Sequence, residues 1–420
     1  MSFQQGLSGL NASSKNLEII GNNIANANTF GTKTSRAEFA DVYAAALNGA
    51  GANAVGIGTN MAAVAQQFTQ GAITTTENPM DLAINGAGFF QLTDGKSPTT
   101  YSRNGQFKVD REGFIVNSAN LQLMGYAANP QGVIQPGQAL PLQLPTGGVA
   151  PSASTGTDIE MNLDSRLGVT VPPSGAAIDF NDASTYNNAT SLTVFDAKGQ
   201  QVAMTFYFQK AATDTWNVFA TANGETVLGV PGSPDPITTI SFEADGSVPT
   251  SPVGDVFFDI PASVNAAGSD TLAIPGFSFN VDAATQFGSA FGVTDIKQDG
   301  FSAGLLVAIS VESNGIITAR YSNGQSRPAG QIEVANFRNP QGLQPQGNNQ
   351  WANTFASGDP ITGVPGDGNL GVLQAGALEE SNVDLTGELV NMITAQRIYQ
   401  ANAQTIKAQD QVLQTLVNIR

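Results

Sequence analysis

One segment has the residue types and spacing of a catalytic motif. Residues 300–304 read Gly-Phe-Ser-Ala-Gly, which matches the G-x-S-x-G turn that presents a nucleophilic serine in esterases. That chemistry needs a general base, and the chain contains no histidine. The next residues, Leu305 to Val311, have the pattern of a strand, whereas the motif requires a helix there. We therefore interpret the segment as a turn that precedes a strand.

The composition excludes most other site chemistry. With neither histidine nor cysteine, the 420 residues cannot form a disulfide, a thiolate nucleophile or a Cys/His site for zinc or haem. The 34 acidic residues leave a glycosidase-type pair of carboxylates open as an alternative, but no pattern singles out two of them. No glycine cluster completes a nucleotide-binding motif, and no stretch fits an EF-hand. We expect no catalytic residues, no cofactor and no metal site, and hence a protein that is not an enzyme.

Acidic residues are concentrated in one internal segment. The chain carries 17 basic and 34 acidic residues, a net charge of −17, and such a field repels nucleic-acid phosphates. Residues 147–296 hold 16 acids and 3 bases, whereas 1–146 hold 8 and 7, and 297–420 hold 10 and 7. Turn-rich sequences at 145–148 and 287–290 flank the acidic segment. It is therefore predicted to be a separate, solvated domain inserted into a near-neutral frame.

The sequence shows no targeting segment and no membrane span. The first positive charge is Lys15, so a signal peptide's basic start is missing. The longest apolar run, Leu305–Ile309, is too short to cross a bilayer, and we expect no membrane insertion. On these grounds alone the chain is cytoplasmic or leaves the cell by a route without a cleaved signal.

Both ends of the chain have the apolar spacing of long amphipathic helices. Alternating steps of three and four residues predict helices over 3–28 and 383–419, roughly 39 Å and 54 Å long. Ser2 with Gln5 and Ser381 with Asp384 are the expected caps. The candidate site residues on these seams, expected to pack within and between subunits, are Leu7, Leu10, Leu17, Ile24, Leu389, Ile393, Tyr399, Ile406 and Leu413.

The second helix has an unusually uncharged surface. From Leu389 to Arg420 the charged residues are Arg397, Lys407, Asp410 and Arg420, and amide side chains supply the remaining polarity. A solvated helix normally carries alternating charges, so this composition favours burial against other copies of the chain. The alternative is a hairpin of the two helices within one chain.

The sequence between the helices predicts mainly β-structure. Short alternating runs at 106–109, 191–195, 202–208 and 216–220 are separated by turn signals such as Asn223-Gly224. The predicted fold class is therefore α+β and multidomain. Long terminal α-helices form a coiled-coil-like core domain, and two mainly antiparallel β domains are nested in the chain.

Several long segments carry a resemblance to one protein family. Residues 16–33 (NLEIIGNNIANANTFGTK), 78–92 (NPMDLAINGAGFFQL), 101–110 (YSRNGQFKVD), 376–385 (GALEESNVDL) and 396–402 (QRIYQAN) are similar to signatures of bacterial flagellar rod and hook proteins. The ending of the first segment, TFGTK, departs from the family's more frequent Gly-Tyr-Lys-like pattern.

The middle of the chain distinguishes the hook members from the rod members. Distal rod proteins are shorter and lack a large acidic insertion. Residues 191–208, 301–320 and 331–341 resemble hook members, so the resemblance covers nearly the whole chain in order. It implies four nested parts, which are a helical core domain (1–30 and 376–420), a connecting region (31–70 and 358–375), an inner β domain (71–146 and 297–357) and an acidic outer β domain (147–296).

The resemblance also implies a function. It implies a structural subunit of the bacterial flagellar hook, which self-assembles into a curved helical tube and transmits torque from rod to filament as a universal joint. The implied partners are other copies of the chain, the distal rod protein, the hook cap protein, the hook–filament junction protein and the flagellar type III export apparatus. The implied location is extracellular, on the basal body. A secreted carbohydrate-active enzyme, a surface adhesin and a distal rod subunit are the alternatives.

Overall fold

The chain folds into two compact units. The computed structural model of the protein describes residues 2–43, 56–129, 131–171 and 177–418. Unit 1 comprises Met1–Thr146, Ala308–Arg320 and Ser326–Arg420, and unit 2 comprises Gly147–Val307 and Tyr321–Gln325. Unit 1 is therefore built from both halves of the chain, and unit 2 mainly from one internal segment.

The four-part division made from the sequence stays a prediction. Its connecting region includes residues 44–55 and its outer domain includes residues 172–176, which lie outside the described residues, as do Met1 and the final two residues.

Two long helices and many short strands make up the described residues. The helices are α1 (Ser2–Ala25) and α2 (Leu385–Asn418), with a 3-10 turn at Pro340–Gly342. The first ten strands are β1 (Ser35–Tyr43), β2 (Gly56–Gln66), β3 (Ile73–Thr75), β4 (Leu82–Asn85), β5 (Phe89–Thr93), β6 (Thr100–Ser102), β7 (Lys108–Val109), β8 (Ile115–Val116), β9 (Gln122–Ala127) and β10 (Leu140–Pro141). The next twelve are β11 (Gly156–Asn162), β12 (Asn188–Phe195), β13 (Gln201–Ala212), β14 (Thr215–Ala222), β15 (Glu225–Thr226), β16 (Gly229–Val230), β17 (Ser233–Pro234), β18 (Thr238–Phe242), β19 (Pro249–Ser251), β20 (Val256–Ile260), β21 (Ile274–Asn280) and β22 (Gly292–Gln298). The remaining strands are β23 (Leu306–Val311), β24 (Ile316–Tyr321), β25 (Ser326–Ile332), β26 (Val334–Asn336), β27 (Gln344–Gly347), β28 (Gln350–Ala352), β29 (Ile361–Gly363), β30 (Val372–Ala375) and β31 (Ala377–Glu379).

The predicted terminal helices are present, with different ends and caps. α1 ends at Ala25, three residues before its predicted end, because the chain then enters hydrogen-bonded turns. The predicted capping box of Ser2 and Gln5 stays a prediction; the Nε2 of Gln5 donates to the carbonyl of Gly56 at 2.6 Å. At α2 the cap is Asp384, whose Oδ1 accepts the backbone N–H of Thr386 at 3.0 Å.

Unit 1 contains one large mixed-order sheet and several short hairpins. The main path of the large sheet runs β23-β24-β25-β9-β5-β6-β28-β27, so three strands from the first half of the chain lie between strands from the second half. The pairs β3–β31 and β30–β4 also join the two halves, and β1 and β2 form a separate antiparallel ribbon. Folding of unit 1 therefore requires the returning chain as well as the outgoing one.

Unit 2 contains a four-stranded sheet and a six-stranded sheet. Their orders are β20-β21-β11-β22 and β12-β13-β14-β18-β19, with β15 beside β14. The hairpins are antiparallel, and β11 lies parallel to β21. Asn223 and Gly224 both have positive φ, 51° and 88°, as a two-residue turn with right-handed strand twist requires. The core of this unit includes the fully buried rings of Trp216, Phe206, Phe208, Phe277 and Phe279.

The structure confirms the predicted fold class. The terminal helices pack against each other, the sheets are mainly antiparallel, and three of the four predicted strands lie within β12, β13 and β14. The fourth, 106–109, is reduced to the two-residue strand β7. The G-x-S-x-G segment precedes strand β23, as interpreted, so the element directly after it is a strand and not a helix.

Two adjacent phenylalanines of β20 give a matched test of the unit 2 core. Phe258 is 8% exposed and belongs to the core, whereas Phe257 is 67% exposed. We expect Phe258→Ala to lower the free energy of unfolding of unit 2 by about 3–5 kcal/mol because it opens a cavity. Phe257→Ala should change it by less than about 0.5 kcal/mol.

Urea unfolding followed by the fluorescence of Trp216 measures both values, in a Trp351→Phe background that removes the chain's other tryptophan. Equal effects of the two substitutions would contradict the assignment of β20's inner face.

Candidate assembly surface

The two terminal helices pack against each other within one chain through small and polar residues. A Cβ atom built on Gly6 would lie 3.0 Å from Cγ1 of Ile406, and one on Gly9 would lie 2.8 Å from Nδ2 of Asn402. Farther along α1 and α2, Ser13 and Ala395 are buried. The small residues let the two helix backbones approach closely.

This packing face lies one residue before the predicted seam. On α1 the buried positions are Gly6, Ser13, Ile20 and Asn23, whereas the predicted seam contains Leu7 and its heptad partners. A shift of one residue rotates the face by about 100°. The small residues Gly6, Gly9 and Ser13 permit close contact with α2, and the leucines of the predicted seam point away from this face.

The predicted interface residues are therefore largely accessible in a single chain. Ile406 contacts α1 and is half-buried. The others divide into half-buried Leu10, Leu17 and Ile24, and exposed Leu7, Leu389, Ile393, Tyr399 and Leu413. Their role between subunits stays a prediction.

The first turns of α2 carry a compact exposed apolar surface. Leu389, Val390 and Ile393 are 46%, 59% and 52% exposed, and we call these three residues the α2 apolar stripe. Contiguous exposed apolar patches on folded proteins mark interaction sites. The stripe is therefore the candidate assembly surface.

A buried ionic junction connects the segment that follows α1 with the segment that precedes α2. Glu379, at the end of β31, accepts hydrogen bonds from Lys33 Nζ at 2.6 Å and from Arg103 at 3.0 Å. The three side chains are 0–5% exposed, and the backbone N–H of Gly71 donates to the same carboxylate at 2.9 Å. One carboxylate thus binds two cations that lie 346 and 276 positions before it in sequence.

Neutral acceptors add to the coordination of the two cations, although Nε of Arg103 has no partner among the described residues. Lys33 Nζ also donates to the carbonyl of Thr69 at 2.8 Å, and Arg103 donates to the carbonyls of Ile84 and Gly86. Burial lowers the pKa of the Lys33 ammonium, and the Glu379 carboxylate opposes that shift. Burial likewise lowers the pKa of Arg103. The junction therefore retains two desolvated cations because a single carboxylate lies between them.

Asparagine amides tie the helix ends to the junction. Asn23 of α1 exchanges two hydrogen bonds with the backbone of Ser35, at 2.8 and 3.0 Å. Asn382, just before α2, accepts the N–H of Thr34 at 2.7 Å and donates to the carbonyl of Gln67 at 2.7 Å. Each amide both donates and accepts, so it links two segments with a defined orientation.

Sequence reasoning did not identify the junction. Lys33 is the only charge between Glu18 and Arg36, and a lone charge in an uncharged stretch is a signal for a buried, paired group. Glu379 is followed by exposed Glu380, so the sequence does not distinguish the buried carboxylate from its neighbour. The pairing partners are too distant in sequence for any local pattern to join them.

A second buried carboxylate lies in the large sheet of unit 1. Glu333 accepts hydrogen bonds from the amide of Gln91 and the hydroxyl of Tyr126, both at 2.8 Å. Burial, then the hydrogen bond to this carboxylate, raises the pKa of Tyr126 to about 12. Burial, then the charge of Glu333, raises the pKa of Tyr101 to about 12. Both phenols therefore stay protonated at a pH of about 10, at which a solvated tyrosine ionises.

The described residues contain no cluster of three or more acidic side chains placed to hold a metal ion. Within the same residues, neither helix has the length and hydropathy to cross a membrane.

Comparison with family models places the chain among the flagellar rod and hook proteins. Residues 3–33 match the model described as "Flagella basal body rod protein" and 374–419 match "Flagellar basal body rod FlgEFG protein C-terminal". Residues 83–200 match "Flagellar hook protein FlgE/F/G D1 domain" and 162–301 match "Flagellar basal body protein FlaE D2 domain". The matched ends contain α1 and α2, which carry the candidate assembly surface.

Curated relatives narrow this class to one family. The chain is 40% identical to the flagellar hook protein FlgE of Salmonella typhimurium and 39% identical to that of Escherichia coli K12, in each case over the full length of both chains. A crystal structure of Helicobacter pylori flagellar hook protein FlgE2 matches with a TM-score of 0.50 at 14% identity, covering 73% of this chain and 99% of that one, and supports the fold. The chain belongs to the flagellar hook protein family.

The junction predicts a large difference between two neighbouring glutamates. Glu379→Gln removes the negative charge between Lys33 and Arg103, so the free energy of unfolding of unit 1 should fall by about 3–5 kcal/mol. Glu380→Gln changes an exposed side chain without an ion pair among the described residues and should cost less than about 0.5 kcal/mol. Chemical denaturation followed by the fluorescence of Trp351, with Trp216 replaced by Phe, gives both values. Similar stabilities for the two variants would show that the junction does not stabilise unit 1.

The tyrosine pKa values predict a titration with two late steps. Of the seven tyrosines, Tyr101 and Tyr126 should ionise at about pH 12 in the folded protein, whereas unfolded tyrosines ionise near pH 10. Because the folded values are raised, the stabilisation they represent is complete below pH 10 and is lost as the pH rises through 12. Phenolate absorbance in buffer and in urea measures the difference. Tyr126→Phe should remove one late step, and an unchanged curve would contradict the assignment.

Proposed function

We propose that this chain is the subunit of a tubular homopolymer, the flagellar hook, and that the terminal helices assemble through the α2 apolar stripe. The observation that carries the proposal is the exposure of Leu389, Val390 and Ile393 on a helix whose opposite face is already packed on α1. Because small residues form the contact between α1 and α2 within one chain, the large apolar side chains of α2 remain free to contact neighbouring copies. Membership of the hook protein family makes copies of the same chain those neighbours.

A tube requires a heterologous interface. When two different patches on each subunit meet, and the rotation between copies does not close a ring, the assembly continues as an open helical polymer. Leu7 on α1 and the α2 apolar stripe lie on different helices and give one subunit two distinct apolar surfaces. This arrangement supports a filament rather than a closed dimer.

The finer functional assignments follow from the family resemblance. We infer that the tube acts as a universal joint that transmits torque from rod to filament. The subunit leaves the cell unfolded through the flagellar type III export apparatus, and the assembled hook contacts the distal rod protein, the hook cap protein and the hook–filament junction protein. The acidic segment 147–296 is the proposed outer β domain, whose net charge of −13 opposes close approach of neighbouring copies at low salt.

The structural role requires no catalytic site in the chain. Carbohydrate-active chemistry would need two carboxylates converging in a cleft. Three buried carboxylates of unit 1, Asp81, Glu333 and Glu379, all accept hydrogen bonds within the fold. These hydrogen bonds favour a structural role for the three groups over the alternative of a secreted enzyme.

The assembly proposal predicts opposite results for two substitutions on α2. Ile393→Asp places a charge in the α2 apolar stripe and should abolish polymerisation, because the interface would bury an unpaired carboxylate. The side chain is exposed in one chain, so the thermal unfolding of the monomer should not change. Gln404→Ser, at an exposed amide on the same helix, should assemble normally.

Sedimentation of the purified chain and electron microscopy of the pellet provide the readout. Normal tubes from Ile393→Asp would rule out the α2 apolar stripe as the interface.

A further inference from the structure

Glu388, in the first turn of α2, has an unsatisfied oxygen beside a cavity. Its Oε1 accepts a long hydrogen bond from Asn23 at 3.3 Å, whereas Oε2 is buried and has no partner among the described residues. The cavity between α1, β1 and α2 has a volume of about 330 Å³ and is lined by Glu388, Ile20 and Gln67. The Nε2 of Gln67 also lacks a hydrogen-bond partner among the described residues. A partly buried carboxylate in this setting favours a cationic partner.

Among the described residues, no cation of the same chain contacts this oxygen. Arg36 also lines the cavity, but its guanidinium pairs with Glu38 at 3.0 Å and is 65% exposed. Arg397 and Lys407 on α2 have no ion pair among the described residues. Arg397 lies nine residues after Glu388, which places it about 13.5 Å along the axis and half a turn around the helix. It cannot reach the carboxylate of its own chain.

We propose that Glu388 of one copy forms an ion pair with Arg397 of a second copy. This inference rests on the proposed self-assembly of the chain. Charge complementarity on α2 selects the partner, because the carboxylate facing the cavity and the guanidinium on the opposite face both lack an ion pair among the described residues. A guanidinium has the planar, multi-donor shape that a carboxylate binds through two hydrogen bonds.

The geometry of the pair suits an open polymer. The two partners lie on opposite faces of α2, so a copy that receives an arginine at its Glu388 still presents its own Arg397 to the next copy. Such a contact is heterologous and repeats without closing. Lys407 lies about 100° from Glu388 around the helix and about 28 Å along it, so it does not share this arrangement.

Disulfide trapping tests the pair directly, because the natural chain has no cysteine. Glu388→Cys combined with Arg397→Cys cannot bridge within one chain, since the Cα atoms are more than about 13.5 Å apart and a disulfide needs less than about 7 Å. Oxidation of the assembled polymer should give a ladder of covalent oligomers on a non-reducing gel. The matched control, Glu388→Cys with Lys407→Cys, should remain mainly monomeric.

Charge reversal gives a second measurement that does not depend on thiols. Arg397→Glu alters an exposed side chain, so it should leave monomer unfolding unchanged while raising the concentration needed for assembly by about tenfold or more. Adding Glu388→Arg should restore assembly to within about threefold of the natural chain, whereas adding Lys407→Glu should not.

The outcomes separate the pair from the polymer itself. A natural chain that never polymerises overturns both the proposed function and the pair. A natural chain that polymerises, with no ladder from the first cysteine pair or an equal ladder from the control, overturns the pair and leaves the proposed function intact. Failure of the double reversal to restore assembly overturns it in the same way.

Discussion

Burial of the Glu379 carboxylate between Lys33 and Arg103 is the constraint on which unit 1 depends. Each cation alone would be destabilising in a site that excludes water, so all three segments must arrive together. Lys33 lies shortly after α1, and Glu379 lies shortly before α2. The ion triad therefore places the two terminal helices side by side, although almost the whole chain separates them in sequence.

The helix pair that follows from this constraint separates two kinds of contact. Gly6, Gly9 and Ala395 give a close internal face, whereas Leu389 and Ile393 remain on the outside. A subunit with this helix pair buries its ionic junction when it folds and still exposes apolar side chains on α2. Assembly can then bury that surface at every subunit of a polymer, and each copy contributes the same favourable free energy of apolar burial. The acidic unit 2 is folded around its own aromatic core and does not share the junction.

The sequence predicted those features that depend on local periodicity. The three-and-four spacing identified both terminal helices, and alternation with Asn-Gly turns identified β12, β13 and β14. It did not identify which helix face packs within the chain, because the small-residue stripe at Gly6, Gly9 and Ser13 repeats with the same spacing as the apolar stripe one position later. The Lys33–Glu379–Arg103 junction was not predictable either, since ion pairing across 346 and 276 residues leaves no local pattern.

Electron cryo-microscopy of polymers grown from the purified chain tests the central claim most directly. The account predicts a hollow tube in which α1 and α2 of each subunit remain paired through Gly6 and Gly9, and in which Leu389 and Ile393 are buried against a neighbouring copy. A tube whose Leu389 and Ile393 side chains face solvent, or a chain that forms no tube under any salt condition, would contradict it.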